Sequence, residues 1–389
     1  MFSAINAKGE EFHLYRNGSQ ISYGLLRKEK WYCSDCETEV IYRHGTRKVP
    51  HFSHRALKEC AYSHESESAL HLSGKLDLYR AFLNFTSANL EYKLTNLSQR
   101  ADIYLPREHL AIEFQCSSIP FSTFQIRKEG YEKHNVTSWW IIGGPPRFVT
   151  FNPYTIVNLR SFELMMLSFH PNLKWHIHFY DPSQKRLYFL HHIQILSATK
   201  YVATVHYYPL SAVHPNLFFS PPLLNSQKIN LEKWLVDRDH WLINKMMYTK
   251  NRKDPMLSSL YFHQIAPSNV PSYIGLPNSY QSLMLCSPFE WQWYLWAEGF
   301  LSIECISIDG LVAILERKMK FNVIKHSLVE VKDKQLFRLL VKEYVQVLLR
   351  IGVLSLEDGN LLCVRPEYKK YTILEKEEER KTFLAKFKE

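Results

Sequence analysis

Ala101-Asp-Ile-Tyr-Leu105 and Leu110-Ala-Ile-Glu-Phe-Gln115, joined by Pro106-Arg-Glu-His109, decide the reading of this chain. The two segments have the alternation of paired β-strands, and Pro106 opens a turn signal between them. With Arg107 and Glu108 at the centre of the turn, Asp102 falls directly opposite Glu113. Period-2 alternation places Ile103, Leu105, Leu110, Ile112 and Phe114 on one apolar face and Asp102, Glu113 and Gln115 on the other. Carboxylates opposed across a strand pair repel unless something neutralises them. A divalent cation is the usual neutraliser, and hard ions such as Mg²⁺ take carboxylate and carbonyl oxygens.

The flanking segments alternate in type. A helix is predicted over 65–85, with Leu72, Leu76, Tyr79 and Leu83 as its apolar stripe. A strand follows at Leu90–Thr95, then the hairpin, a helix over 121–134 and a buried strand at 138–142 that ends at Gly143-Gly-Pro-Pro146. The order is αβββαβ, and a right-handed crossover pairs the last strand parallel to the hairpin. On the first helix Glu67, His71 and Lys75 are spaced four apart and share one face. Alone they read as a surface ladder. Beside a carboxylate pair, Glu67 could hold a metal or its water while His71 and Lys75 contact phosphate. Arg127 and Tyr131, again four apart, suit a solvated face, a core position or a phosphate clamp.

Ahead of this region, Cys33-x-x-Cys36 precedes His51-Phe-Ser-His54 and Cys60. A Cys-x-x-Cys turn supplies two thiolates for one tetrahedral Zn²⁺, and a later His/Cys pair closes the site. Cys33, Cys36, His54 and Cys60 are the favoured set, with His51 the substitute. His44 and His64 are unassigned. Four ligands would leave no open position, so the role expected of this zinc is structural.

Seven cysteines, three of them early, fit metal binding better than a disulfide framework. No stretch reaches the apolar length of a membrane helix and no signal peptide opens the chain, so a cytoplasmic protein without membrane insertion is expected. The net charge of +10 favours a polyanionic partner. Three zones emerge: a zinc-finger-like module at 1–62, the αβββαβ domain at 63–150, and a mixed α+β region at 151–389. In the last, Trp175–Tyr180 and Arg186–Leu190 form a hairpin, while 210–290 is rich in Pro and Ser and resists assignment. A helix over 334–351, stopping at Gly352, and a hairpin with its turn at Glu357–Asn360 fit a winged helix over about 330–366, or equally a small α+β cap. The charged run Glu375–Lys381 reads as a solvated helical face.

An acidic helix residue, then Asp102, then Glu113-x-Gln115 on an αβββαβ core resembles the PD-(D/E)XK nuclease superfamily, with its restriction-endonuclease-like core. More closely, residues 1–145 resemble the competence protein CoiA family. The resemblance is carried by Cys33-x-x-Cys36, His51-Phe-Ser-His54, Glu65-Ser-Glu-Ser-x-x-His71-x-x-x-Lys75, Arg100-Ala-Asp102-Ile, Ala111-Ile-Glu-Phe-Gln-Cys-Ser117, Arg127-x-x-x-Tyr131 and Trp140-Ile-Ile-Gly143. It implies a protein of natural transformation that acts on incoming DNA or recombination intermediates, single-stranded or branched, alongside recombination proteins. It further implies a metal-dependent nuclease in which Asp102, Glu113 and the Phe114 carbonyl hold Mg²⁺ or Mn²⁺. Glu67, Gln115 and Lys75 would complete the catalytic set, and His71, Arg127 and Tyr131 would contact DNA. The superfamily pattern ends in Lys where this chain has Gln115, so a cationic stabiliser at that position is replaced by an amide. The rival expectation is a non-catalytic DNA-binding recombination mediator on a nuclease-like scaffold.

Overall fold

The computed structural model describes the chain except for residues 16–25, 47, 56–67, 95–98, 151–154, 198, 226–228, 250–253, 282–283, 285, 304, 325–333, 358–359, 364–371 and 389. The N-terminal module is a five-stranded antiparallel sheet. Its strands β1 (Ser3–Asn6), β2 (Glu11–His13), β3 (Trp31–Tyr32), β4 (Glu39–Arg43) and β5 (His51–His54) are ordered β2-β1-β3-β4-β5. Its core is small: Ala4, Trp31, Val40, Tyr42 and Phe52 pack with Cys33.

The αβββαβ order is present. Helix α1 (Ala69–Leu83) begins at Ser68, whose hydroxyl accepts from His71 N at 3.1 Å, a side-chain cap of the usual kind. Strands β6 (Asn89–Lys93), β7 (Arg100–Leu105) and β8 (Leu110–Gln115), helix α2 (Phe121–Lys133) and strand β9 (Thr137–Gly143) follow. The hairpin has the expected register: Ile103 faces Ile112, Tyr104 faces Ala111 and Leu105 faces Leu110. β9 runs parallel to β8, as the crossover requires. Leu72, Leu76 and Tyr79 bury α1 against Ile103, Leu105, Ile112 and Phe114. Each large apolar side chain so buried contributes about 1.5–3 kcal/mol. Leu83 departs from the expected stripe and is 45% exposed, because it lies on the last turn of the helix.

The sheet does not stop at residue 150. Strands β10 (Arg147–Thr150), β11 (Ile156–Asn158), β12 (Ser168–His170), β13 (Lys174–Asp181), β14 (Arg186–Ile195) and β15 (Lys200–Pro209) enlarge it to ten strands. The expected β13–β14 hairpin forms, and β13 also pairs parallel to β9. The path is β10-β11-β15-β14-β13-β9-β8-β7-β6, with β12 paired to β13.

Beyond the sheet, the chain is mainly helical: α3 (Leu231–Tyr248), α4 (Pro255–Phe262), α5 (Pro288–Leu295), α6 (Ile308–Lys320), α7 (Lys334–Arg350) and α8 (Ile373–Lys388). Strands β16 (Cys305–Ile306), β17 (Leu354–Glu357) and β18 (Asn360–Cys363) form a small sheet in the order β16-β18-β17. The charged run on α8 is not all solvated. Glu379 accepts from Ser272 N and Oγ, Lys376 donates to the Val270 carbonyl and Arg380 pairs with Asp239, so one side of the run docks the helix. Among the described residues, no helix is long and apolar enough to cross a membrane.

Candidate active site and metal cluster

Asp102 and Glu113 occupy facing positions on β7 and β8, one step beyond the Ile103–Ile112 pair. Their carboxylates are served by different helices. From α1, His71 Nε2 lies 3.4 Å from Asp102 Oδ2 and Lys75 Nζ 3.5 Å from Oδ1. The backbone N–H of Phe114 also donates to Oδ2, at 3.0 Å. From α2, Arg127 Nη2 donates to Glu113 Oε2 at 2.6 Å, and the Tyr131 hydroxyl donates to Oε1. The Arg127 guanidinium is braced by the Arg100 carbonyl at 3.3 Å and by the Trp140 ring at 5.4 Å.

This arrangement revises the expected electrostatics. The charge nearest the opposed carboxylates comes from Lys75, which Glu91 shares, and from Arg127, with the His71 ring beside Asp102, so side chains of the protein offset part of their repulsion. Burial favours the protonated form of Asp102, but Lys75, then His71 and Arg127, outweigh it and hold the group well below the usual carboxylate range. Glu113 is pushed up to about 7 by burial, with the negative charge of Asp102 acting in the same direction and Arg127 against it. Burial opposes the charge on Arg127, yet Glu113 raises its pKa and keeps it cationic.

Lys75 is not part of a solvated ladder. It is 1% exposed, its ammonium is 2.6 Å from Glu91 Oε1, and the Phe2 ring lies beneath it. Glu91 is the site residue that sequence reasoning missed. It stands opposite Asp102 on β6, between the pairs Leu90–Ile103 and Tyr92–Ala101. Its Oε2 accepts from Phe2 N (2.7 Å) and Ser3 N (3.2 Å), which ties the first strand of the N-terminal module to the site. Its φ of +51° is a left-handed conformation that a non-glycine residue seldom adopts. The helix approaches the hairpin closely at Gly74, where a Cβ would fall 2.2 Å from the Phe114 ring. The His71 ring stacks on the same Phe114 at 5.9 Å.

The remaining predicted site residues take other roles or lie outside the described residues. Gln115 follows Glu113 by two, and its amide nitrogen donates to the Ser117 carbonyl at 2.8 Å. Tyr131 is wholly buried and spends its hydroxyl on Glu113, so it takes no phosphate in this arrangement. Glu67, with Glu65 and His64, lies outside the described residues. Asp102, Glu113 and the Phe114 carbonyl are hard oxygen donors of the type that Mg²⁺ and Mn²⁺ take, and Asp102 keeps its charge. The donor set therefore fits such an ion chemically.

The second cluster joins Cys33, Cys36 and His54, whose donor atoms lie within 4.8 Å of one another. Cys36 Sγ is 3.3 Å from His54 Nε2. Burial, with Cys36 nearby, raises the Cys33 thiol to about 11 without a cation; a thiolate ligand requires the opposite shift, which a bound metal supplies. His51 is excluded from this cluster and its Nδ1 is bonded to the Val49 carbonyl at 2.8 Å. The two histidines are three residues apart on β5, so alternation turns them to opposite faces. Cys60, the expected fourth ligand, lies outside the described residues. Two thiols and an imidazole make a set that suits Zn²⁺. Asp35, between the cysteines, reaches the nuclease-like sheet and pairs with Arg100 at 3.1 Å and Lys93 at 3.8 Å.

Three family models match in chain order. Residues 17–63 match the Competence protein CoiA N-terminal domain, residues 67–223 its nuclease-like domain, and residues 229–377 its C-terminal domain. The chain is 28% identical over 292 residues to Competence protein CoiA of Bacillus subtilis (strain 168), an alignment that covers 73% of this chain and 75% of the relative. No solved structure matches it. The nuclease-like match spans α1 to β15, the same stretch that carries the facing carboxylates and the ten-stranded sheet. With that domain flanked by the other two in order, the chain belongs to the competence protein CoiA family.

Proposed function

We propose that this chain hydrolyses phosphodiester bonds in DNA during natural transformation, at a centre built on Asp102 and Glu113. The observation that carries the reading is their opposition on β7 and β8, with Lys75, His71 and Arg127 gathered against them. Asp102, Glu113 and the Phe114 carbonyl would hold Mg²⁺ or Mn²⁺, with Glu67 a further acidic ligand or water holder. When bound, such an ion polarises the phosphoryl oxygen and acidifies the attacking water. Asp102, kept ionised by its cationic neighbours, is the anchor. Glu113 joins it in its charged form, favoured above about pH 7. His71 and Arg127 stabilise charge developing on the phosphoryl group, and Lys75, buried behind Asp102, adds its charge at longer range. The Gln115 side-chain carbonyl orients the water, since its amide nitrogen is engaged by Ser117.

Zinc on Cys33, Cys36 and His54, with Cys60 as the fourth ligand, would hold the N-terminal module together. Incoming DNA or recombination intermediates in the cytoplasm, and recombination proteins, are the partners that this reading implies. Incubation with labelled single-stranded, duplex and branched DNA in Mg²⁺ or Mn²⁺ tests it. Cleavage abolished by Asp102→Ala and by Glu113→Ala is expected, and cleavage unaffected by both substitutions refutes it.

A second reading, a DNA-binding recombination mediator on a nuclease-like scaffold, is favoured by one observation: both oxygens of Glu113 are engaged by Arg127 and Tyr131. It expects salt-sensitive DNA binding without strand scission.

A further inference from the structure

The C-terminal region has a helix-strand-helix-helix-strand-strand order: α5, β16, α6, α7, β17, β18. The outer strand β16 pairs with β18, which pairs with β17, so the hairpin that follows α7 folds back beside the strand that precedes α6. Helix-turn-helix proteins place the second of two consecutive helices in the major groove; α6 and α7 are consecutive but are joined by residues 321–333 and not by the tight turn of that motif. Topology alone does not assign a function, and the case rests on the outer face of α7.

That helix is sharply two-sided. Leu340, Val341, Tyr344, Val345 and Leu348 are buried in the core. Gln335, Arg338, Lys342, Gln346 and Arg350 are exposed. Their spacing of three, four, four and four residues sets them in one stripe along the helix. From Gln335 to Arg350 the stripe is about 22 Å long at 1.5 Å per residue. It holds three cations, two amides and no carboxylate. The one acidic residue of α7, Glu343, is turned inward, where it accepts from Ser279 N at 3.0 Å and Ser279 Oγ at 2.9 Å. Arg338 pairs with Asp309 at 2.8 Å, but both are more than half exposed, so a phosphate can compete for it. Arg350 packs its guanidinium over the Phe387 ring, which braces the far end of the stripe.

These side chains share one recognition chemistry. Arginine offers a bidentate fork to guanine, glutamine to adenine, and lysine a point charge for phosphate or guanine. The major groove of B-DNA admits an α-helix of this width. We propose that the exposed stripe of α7 is a DNA-contacting surface separate from the Asp102–Glu113 centre, and that its ligand is the major groove of duplex DNA. The proposal rests on the reading of this chain as a DNA-acting protein, but not on cleavage. It adds a means of holding duplex that does not depend on that centre.

The test is fluorescence anisotropy with a labelled duplex of about 30 base pairs, and with one of its single strands, across a salt series and without added divalent cation. The full-length chain and its Arg338→Ala/Lys342→Ala variant are compared, with Lys342→Glu as a second variant. All three substitutions lie on exposed side chains, and thermal unfolding establishes that the fold is retained. The double variant is expected to bind duplex about tenfold more weakly at 0.15 M salt and to lower the salt slope by about 1 to 2. Its affinity for single strand is expected to change by less than about twofold. Unchanged duplex affinity in both variants, or equal losses on duplex and single strand, would overturn the proposal. Asp102→Ala is measured in parallel. If it binds duplex normally while the α7 variants do not, the stripe stands even should the chain cleave no DNA.

Discussion

Asp35, set between the two cysteines of the metal cluster, lies 3.1 Å from the guanidinium of Arg100, whose own carbonyl accepts from Arg127, the cation that holds Glu113. The N-terminal module and the nuclease-like site are thus joined through three residues, by way of the Arg100 side chain and backbone carbonyl. Glu91 makes a second connection through the backbone of Phe2 and Ser3. Asp35→Asn is expected to lower stability by about 1–2 kcal/mol, since the pair is partly buried and lost on one side. Urea denaturation reads this. Cys33→Ser, which removes a cluster ligand as well, should cost more than Asp35→Asn; an equal or smaller loss would show that the cluster does not organise the module.

Lys75 is enclosed by Glu91 and Asp102 at 1% exposure. Lys75→Met leaves two carboxylates without their buried cation and is expected to cost about 3–5 kcal/mol. Adding Glu91→Gln should recover part of that loss, because the second uncompensated charge is removed with it. A double-mutant cycle on denaturation midpoints gives the coupling, and strict additivity would contradict the pairing.

At Gly74, alanine would normally favour the helix by up to about 1 kcal/mol. Here its Cβ meets the Phe114 ring at 2.2 Å, so a net loss of about 1–3 kcal/mol is expected, with His71 displaced from its stack on Phe114. Gly74→Ala measured as stabilising would show that α1 does not approach β8 so closely.

His176, His178 and His191 lie buried on β13 and β14, and burial lowers all three pKa values, to about 4 for His176 and about 3 for His191. His178 accepts from Trp139 Nε1 at 2.9 Å, and His191 is 2.7 Å from His206 and 2.8 Å from His192, contacts that suit neutral rings sharing single protons. A histidine with a depressed folded pKa contributes stability that is fully present above its unfolded value, near 6.5, and is lost as pH falls below it. Roughly 2 kcal/mol per histidine is at stake by pH 5. The melting temperature should fall between pH 6.5 and 5, and less steeply for His176→Gln; a flat profile over that range would contradict burial of neutral rings.

The hairpin was legible because a short Pro-led turn sets its register by arithmetic, so the opposition of Asp102 and Glu113 followed from residue numbers alone. Glu91 was not, because residues 94–99 offer no two-residue turn signal from which to count the β6 register. The choice between His51 and His54 was available in principle, since their odd spacing on one strand admits a single member to the cluster. The continuation of the sheet from β9 into β13 was hidden by its nature. That parallel pairing joins segments more than 30 residues apart and leaves no local periodicity. β16, with two residues, is too short for any pattern, so its pairing beside the α7 hairpin was not legible.

The site's central claim is that Asp102 and Glu113 hold one divalent cation between them. Crystals of the full chain soaked in Mn²⁺ and measured at the manganese absorption edge test it most directly. The account predicts an anomalous peak bridging an oxygen of Asp102 and an oxygen of Glu113, absent in Asp102→Ala, and stronger above pH 7, where Glu113 gives up its proton. No peak there at saturating Mn²⁺ and pH 8, with Glu113 still held by Arg127 and Tyr131, would contradict it.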